Sequence, residues 1–137
     1  MALDDRAREF LDEQRFAVLG TINPDGTIQQ TVMWYLLRGD QIVMNTARGR
    51  KKDRNVLRDR RVSICVEDGY RYVTVAGEVE VAEDRAAAQA DIAALAERCH
   101  GAERAVEMVR DGFGQQERIS LLLPIADALA YGFGDKE

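Results

Sequence analysis

The residue types best suited to chemistry lie in one short segment, 44–52, which reads MNTARGRKK. A β-prone run leads through Asn45 and Thr46 into a glycine-containing turn, and the helical pattern that follows begins with cations. Backbone amides at a helix N-terminus, a hydroxyl group and fixed positive charges can all bind the same phosphate. The segment therefore predicts a phosphate site. The alternative is that these cations form a solvated helix face.

The charge of the chain is distributed unevenly. The net charge is −5, yet segment 48–61 has eight basic and two acidic residues, a local +6 that leaves −11 on the rest. An acidic protein with one dense basic segment is suited to holding a small anion and poorly suited to following a nucleic-acid backbone. The pattern argues against a nucleic-acid partner.

Other catalytic side chains are few. His100 is the only histidine, and Cys65 and Cys99 are the only cysteines, without the spacing of a metal site. We expect two buried free thiols, no metal, and no Ser–His or Cys–His pair at the centre of the chemistry.

The length and composition bound the class of protein. The chain has 137 residues, of which 46% are hydrophobic and 31% charged, which predicts one folded domain over 1–137. No apolar run approaches the roughly 20 residues that cross a bilayer. The N-terminus MALDDRAREF is too charged for a secretory signal. We expect a cytoplasmic protein without a membrane partner.

The elements that must position segment 44–52 follow from hydrophobic periodicity. Helical spacing predicts a helix over 3–14, a short basic helix within 51–59, an alanine-rich helix from 85 that Asp84 can cap, and a helix or helical turn over 103–110. Strand patterns cover 16–22, 27–37, 41–45, 61–67, 70–82 and 117–125, with a stop at Pro124. Six strands with small helices indicate an α+β, mainly β protein, with a closed or nearly closed antiparallel barrel that leaves few exposed edges.

The order of these segments resembles a known family. The runs VLGTINPDG, TVMWY, NTARGRKKDRNVLRDRRVSICVED, YRYVTVAGEVEV and RISLLLPI are similar to the pyridoxamine-5′-phosphate-oxidase-like superfamily of split β-barrels, most of all to its branch that uses the deazaflavin coenzyme F-420. The similarity runs from about Phe16 to Gly132. Its most specific part is the signature R-x-K-x-R-N-[LV]-x-R-D-x-R-[VA]-S, met by Arg50, Lys52, Arg54, Asn55, Val56, Arg58, Asp59, Arg61, Val62 and Ser63.

The resemblance implies a six-stranded, FMN-binding-like split barrel that forms a homodimer with sites between the subunits. Arg50 and Lys52 would contact the phosphate and tail of the cofactor, and the flat ring would lie along the strand that contains Trp34. Trp34 would then line the substrate side, unless it only packs in the core or dimer interface. The implied cofactor-binding residues are Val32, Met33, Trp34, Asn45, Thr46, Ala47, Arg50, Lys51, Lys52 and Asn55.

Departures from the family pattern bear on the cofactor. FMN oxidases of the superfamily usually show an aromatic-Thr pair and then Ser-Arg-Lys, whereas this chain has Asn45-Thr46 and then Arg50-Lys51-Lys52. The additional cation favours coenzyme F-420, whose phosphodiester and glutamate chain extend its negative charge, with FMN as the alternative. The C-terminal AYGFGDKE lacks the Arg- and Trp-containing substrate segment of the vitamin B6 oxidases.

The implied function is an oxidoreductase in which the reduced deazaflavin passes a hydride to an unsaturated organic substrate. The alternatives are an FMN-binding oxidase or reductase of the same fold and a non-catalytic deazaflavin-binding protein. A proton could come from solvent or from Tyr70 or Tyr72, whose other interpretation is ordinary strand packing. No side chain is assigned as the catalytic acid.

Overall fold

A computed structural model describes residues 3–134, and within that range it contains nine strands, four α-helices and a short 3₁₀ turn at Phe113–Gln115. The strands are β1 (Phe16–Ile22), β2 (Ile28–Trp34), β3 (Leu36–Arg38), β4 (Gln41–Ala47), β5 (Arg61–Glu67), β6 (Tyr72–Glu78), β7 (Glu80–Ala82), β8 (Arg118–Pro124) and β9 (Ala128–Tyr131). The helices are α1 (Asp5–Asp12), α2 (Lys51–Arg58), α3 (Arg85–His100) and α4 (Ala102–Asp111).

The strands form two antiparallel sheets, ordered β2-β1-β5-β6-β9 and β3-β4-β8-β7. At two places a single residue joins strands of different sheets, namely Tyr35 between β2 and β3 and Val79 between β6 and β7. Both residues are buried. The sequence predicted one continuous strand across each of these points, because the apolar pattern does not break there. The predicted mainly-β split barrel is confirmed, and its six long strands have seven residues each.

The core lies between the two sheets and follows the predicted alternation. Along β6, Val73 and Val75 are buried while Tyr72 and Ala76 are exposed. A fully buried aliphatic side chain of this kind contributes roughly 1.5–3 kcal/mol to folding. The Tyr35 hydroxyl donates to the Leu11 carbonyl oxygen at 2.7 Å. Burial raises the pKa of Tyr35 to about 12, so this hydroxyl is a neutral structural group.

Strand β9 was not predicted from the sequence. It consists of ALAY, in which alanine is a weak β-former, and it is held by antiparallel pairing with β6, where Tyr131 lies opposite Tyr72. The predicted stop at Pro124 therefore marks the end of β8 and not the end of the sheet structure.

Helix α3 lies across β8 and β4 and reaches the end of β2. Its N-terminus is capped as predicted, because the Asp84 carboxylate accepts the Ala87 amide at 2.9 Å. Gly101, with φ of 86°, separates α3 from α4. In the described range no helix combines the length and the hydropathy that a membrane span requires.

Candidate functional site

A cavity of about 180 Å³ lies where β2 leaves the five-stranded sheet, between the ends of β2 and β4 and beside α3. Seven of the ten predicted cofactor-binding residues line it, together with four that the sequence did not indicate. The lining residues are Val32, Met33, Trp34, Asn45, Thr46, Arg50, Lys52, Ile92, Leu95, Phe113 and Arg118.

The loop before α2 sets the position of the basic side chains. Gly49 has φ of 89°, and its amide donates to the Asp53 carboxylate at 2.7 Å. The Arg54 guanidinium donates to the Gly49 carbonyl oxygen at 2.6 Å, so both sides of this glycine are tied to the first turn of α2. Arg50 is the N-cap residue and makes no side-chain cap. The closed loop thus leaves the Arg50 and Lys52 side chains at the cavity.

Three cations, Arg50, Lys52 and Arg118, line the cavity, and none of the lining residues that the structure describes is acidic. Burial, and then repulsion from Arg50 and Arg118, lowers the pKa of Lys52. Burial, and then repulsion from Arg50, lowers the pKa of Arg118 to about 10. Both directions mean that the charged forms are less stable here than in water. An anion entering the cavity would relieve this cost, so the residues fit a phosphate-bearing ligand.

Arg118 is the cation that sequence reasoning missed. Its side chain is buried, its Nε donates to Asn45 Oδ1 at 2.7 Å, a terminal nitrogen donates to Gln116, and the guanidinium lies 4.8 Å from the centre of the Phe113 ring. One signal was available. The last predicted strand has Arg118 as its second residue, and antiparallel pairing with the strand that leads into segment 44–52 brings Arg118 to the same loop.

Apart from the three cations, Asn45 and Thr46, the lining of the cavity is apolar. The Trp34 indole packs edge-on against Phe113, with ring centres 5.9 Å apart, and against His100 at 5.2 Å. Ile92 and Leu95 come from α3. A cavity that combines apolar side chains with three cations suits a flat ring that carries an anionic tail.

Three of the predicted residues do not line the cavity. Ala47 ends β4 opposite Arg118 in the strand register. Lys51 lines a separate groove beside the turn between β1 and β2. Asn55 is buried and donates to Thr21 Oγ1 and Asn23 Oδ1, both at 3.0 Å, which ties α2 to that turn. A direct role of these three in binding stays a prediction.

The proposed proton donors and the thiols lie elsewhere. Tyr70 is exposed in the turn before β6, and Tyr72 stacks on Tyr131 with ring centres 5.3 Å apart. Neither lines the cavity. Cys65 and Cys99 are free, as expected, but they are only partly buried, which corrects the expectation of two buried thiols. Burial raises the pKa of each.

A family model places the chain among known proteins. The model described as pyridoxamine 5′-phosphate oxidase matches residues 3–119. No curated protein sequence matches significantly.

Solved structures with the same fold are numerous. A conserved hypothetical protein from Mycobacterium tuberculosis is 26% identical, with 97% of this chain and 86% of that chain covered and a TM-score of 0.82. A protein described as an F-420 reductase is 24% identical, with 93% and 98% covered and a TM-score of 0.74. The heme storage protein HutZ from Vibrio cholerae is 22% identical, with 98% of each chain covered and a TM-score of 0.74. At these identities the last two similarities show a shared fold.

Proposed function

Because the chain belongs to the pyridoxamine 5′-phosphate oxidase family, we propose that it is an oxidoreductase that uses reduced coenzyme F-420 to transfer a hydride to an unsaturated organic substrate. The observation that carries the proposal is that Arg50, Lys52 and Arg118 line one cavity, close enough to repel one another, together with the apolar side chains of β2 and α3. The similarity in fold to a protein described as an F-420 reductase supports it.

The residues at the cavity divide into two roles. Arg50 and Lys52 would bind the phosphodiester and the acidic tail, with charge-assisted hydrogen bonds that a neutral ligand cannot form. Val32 and Trp34 of β2, with Ile92 and Leu95 of α3, would hold the ring and exclude water. When bound, the reduced coenzyme supplies the hydride. The residues within 3–134 that line the 180 Å³ cavity include no carboxylate, histidine or tyrosine, so we expect a product proton from solvent.

The outer face of the five-stranded sheet supports a homodimer. The strand register aligns Val32, Val18, Cys65, Thr74 and Leu129 in one row across all five strands. Val32 and Leu129, together with Phe16 beside the row, are large exposed apolar side chains. Large apolar side chains exposed on one sheet face are typical of a protein–protein interface. We therefore also propose that two copies of this chain associate through this face.

The size of the cavity supports a site shared between the two copies. Sites that enclose a drug-sized ligand usually measure roughly 300–1,000 Å³. The cavity here has about 180 Å³. A second depression of about 410 Å³ on the outer sheet face adjoins it, since Val32 borders both. A flavin-sized ligand would extend across Val32 onto the face where the second copy would complete the site.

The first experiment is a binding titration. Coenzyme F-420 and FMN are titrated separately into the wild type, Arg50→Ala and Lys52→Ala, with ligand fluorescence as the signal. Arg104→Ala is the matched control, because it removes an arginine from an exposed ion pair with Glu107 on α4. We expect tighter binding of coenzyme F-420 than of FMN and a loss of about tenfold or more in each cavity variant, which corresponds to about 1.4 kcal/mol.

Each outcome separates the candidate functions. Tighter binding of FMN would indicate that the protein uses FMN instead of coenzyme F-420. If neither ligand binds, the proposal is overturned. If coenzyme F-420 binds, its reduced form is mixed with a panel of enones and quinones and its oxidation is followed by absorbance. Binding without turnover across that panel would support a carrier protein instead of a reductase.

A further inference from the structure

A chain of buried hydrogen bonds leads from the cavity into the interior of the protein. Arg118 Nε donates to Asn45 Oδ1 at 2.7 Å, and Asn45 Nδ2 donates to Ser120 Oγ at 3.3 Å. Ser120 Oγ donates to Asp91 Oδ2 at 2.6 Å, and the Arg38 guanidinium donates to Asp91 Oδ1 at 2.9 Å. We call Arg118, Asn45, Ser120 and Asp91 the buried chain. All four residues are at most 8% exposed.

Every hydrogen bond along the buried chain is donated in the same direction, from Arg118 toward Asp91. An ionised Asp91 can only accept, so the Ser120 hydroxyl proton points to it and the Ser120 oxygen is left to accept from Asn45. The Asn45 amide nitrogen also donates to the Ala88 carbonyl oxygen at 2.9 Å. If the Asn45 side-chain amide were flipped, its Oδ1 would face the Ala88 carbonyl oxygen, and neither atom can donate a hydrogen bond. Asn45 Oδ1 is therefore held toward Arg118, whose Nε can only donate.

The electrostatic setting leaves the Arg118 charge available to a ligand. Within residues 3–134 no carboxylate lies within 4.0 Å of its guanidinium, and its side-chain partners Asn45 and Gln116 are neutral. Asp91, at the other end of the buried chain, is paired with Arg38, whose side chain is half exposed. A buried cation without a paired anion is costly, and a bound anion would offset that cost.

We propose that Arg118 is a third anion-binding residue of the cavity and that Asp91 is the residue that positions it, acting through Ser120 and Asn45. The anion would be a phosphate group. Its assignment to the coenzyme rests on the proposed function, whereas the orientation of Arg118 depends only on the buried chain.

The test measures binding of inorganic pyrophosphate by calorimetry at neutral pH and low salt. Arg118→Gln should weaken binding about tenfold or more, and Ser120→Ala, which changes no charge, should weaken it several-fold. Asp91→Asn gives the sharper result. If Asp91 acted only through its charge, removing a negative charge near a cationic cavity would tighten binding. If it positions Arg118, binding weakens, because the new amide can donate to Ser120 and the direction of the chain is lost.

A double variant and a control complete the design. In the Arg118→Gln background, Asp91→Asn should change the affinity less than twofold, because the residue that Asp91 positions is already gone. Asp40→Asn, in the exposed ion pair with Arg8, is the matched control and should leave binding unchanged. Circular dichroism checks that each variant is folded, and Ser120→Ala carries the test if Asp91→Asn does not fold.

The inference is overturned if Asp91→Asn tightens or preserves binding, if its effect persists in the Arg118→Gln background, or if the wild type does not bind pyrophosphate. A wild type that binds pyrophosphate but not coenzyme F-420 would overturn the proposed coenzyme and leave the role of Asp91 intact.

Discussion

At the scale of single residues, the positive charge of Lys52 favours anion binding but opposes folding. Burial and the neighbouring Arg50 and Arg118 lower its pKa below 10.5. The unfolded chain therefore holds the Lys52 proton more tightly than the folded protein does. Over the pH range between the lowered pKa and 10.5, stability rises with pH, and below that range the charge at Lys52 destabilises the fold.

We predict that Lys52→Met stabilises the ligand-free protein by about 1 kcal/mol at neutral pH, a usual size for a stabilising substitution, while it weakens pyrophosphate binding. Urea unfolding measured between pH 7 and 10.5 tests the first part, since the rise in stability with pH should be smaller in the variant. Lys51→Met is the matched control, because Lys51 is exposed and lines a different groove. Equal stability of wild type and Lys52→Met would contradict the prediction.

At the scale of the elements, the loop that joins β4 to α2 depends on Gly49. Its φ of 89° lies in the left-handed region, and an added Cβ would meet no atom within 4 Å. Gly49→Ala should therefore cost about 1–2 kcal/mol of backbone strain alone. Because Arg50 follows directly, we also expect weaker pyrophosphate binding.

Gly69→Ala provides the matched comparison for this variant. Gly69 has φ of 90° in the turn between β5 and β6, and its Cβ would likewise meet nothing within 4 Å. Urea unfolding should show similar losses of stability in the two variants, and calorimetry should show weakened binding only for Gly49→Ala. Equal affinities in both variants would show that the loop conformation does not control the site.

Local patterns were sufficient to predict most elements of this fold but not the places where the sheets separate. The alternation through Val73 and Val75 identified β6, and the basic segment with Arg50 identified α2 and its loop. The separation of β2 from β3 at Tyr35 could not be predicted from the sequence, since a large buried side chain at that position also fits a continuous strand. The position of α3 over the cavity depends on packing between distant segments, so Ile92 could not be assigned to the site.

At the scale of the whole molecule, the proposed dimer depends on the outer face of the five-stranded sheet. Leu129 and Val106 are both 66% exposed, but Leu129 lies on this face and Val106 on α4. We predict that Leu129→Glu converts a dimer to a monomer, because an unpaired charge buried in an interface is costly. Light scattering after size-exclusion chromatography measures the mass, and Val106→Glu should leave the dimer intact. A monomeric wild type would refute pairing through this face.

Trp34 is the only tryptophan in the chain, and its indole lies in the cavity wall against Phe113 and His100. All indole emission of the protein therefore comes from one wall of the candidate site, without background from any other position. A ligand that covers this ring alters the whole tryptophan signal, whether or not the ligand itself absorbs or emits light. The protein thus contains a built-in optical reporter at its own cavity, and colourless candidate substrates can be screened without attaching a label.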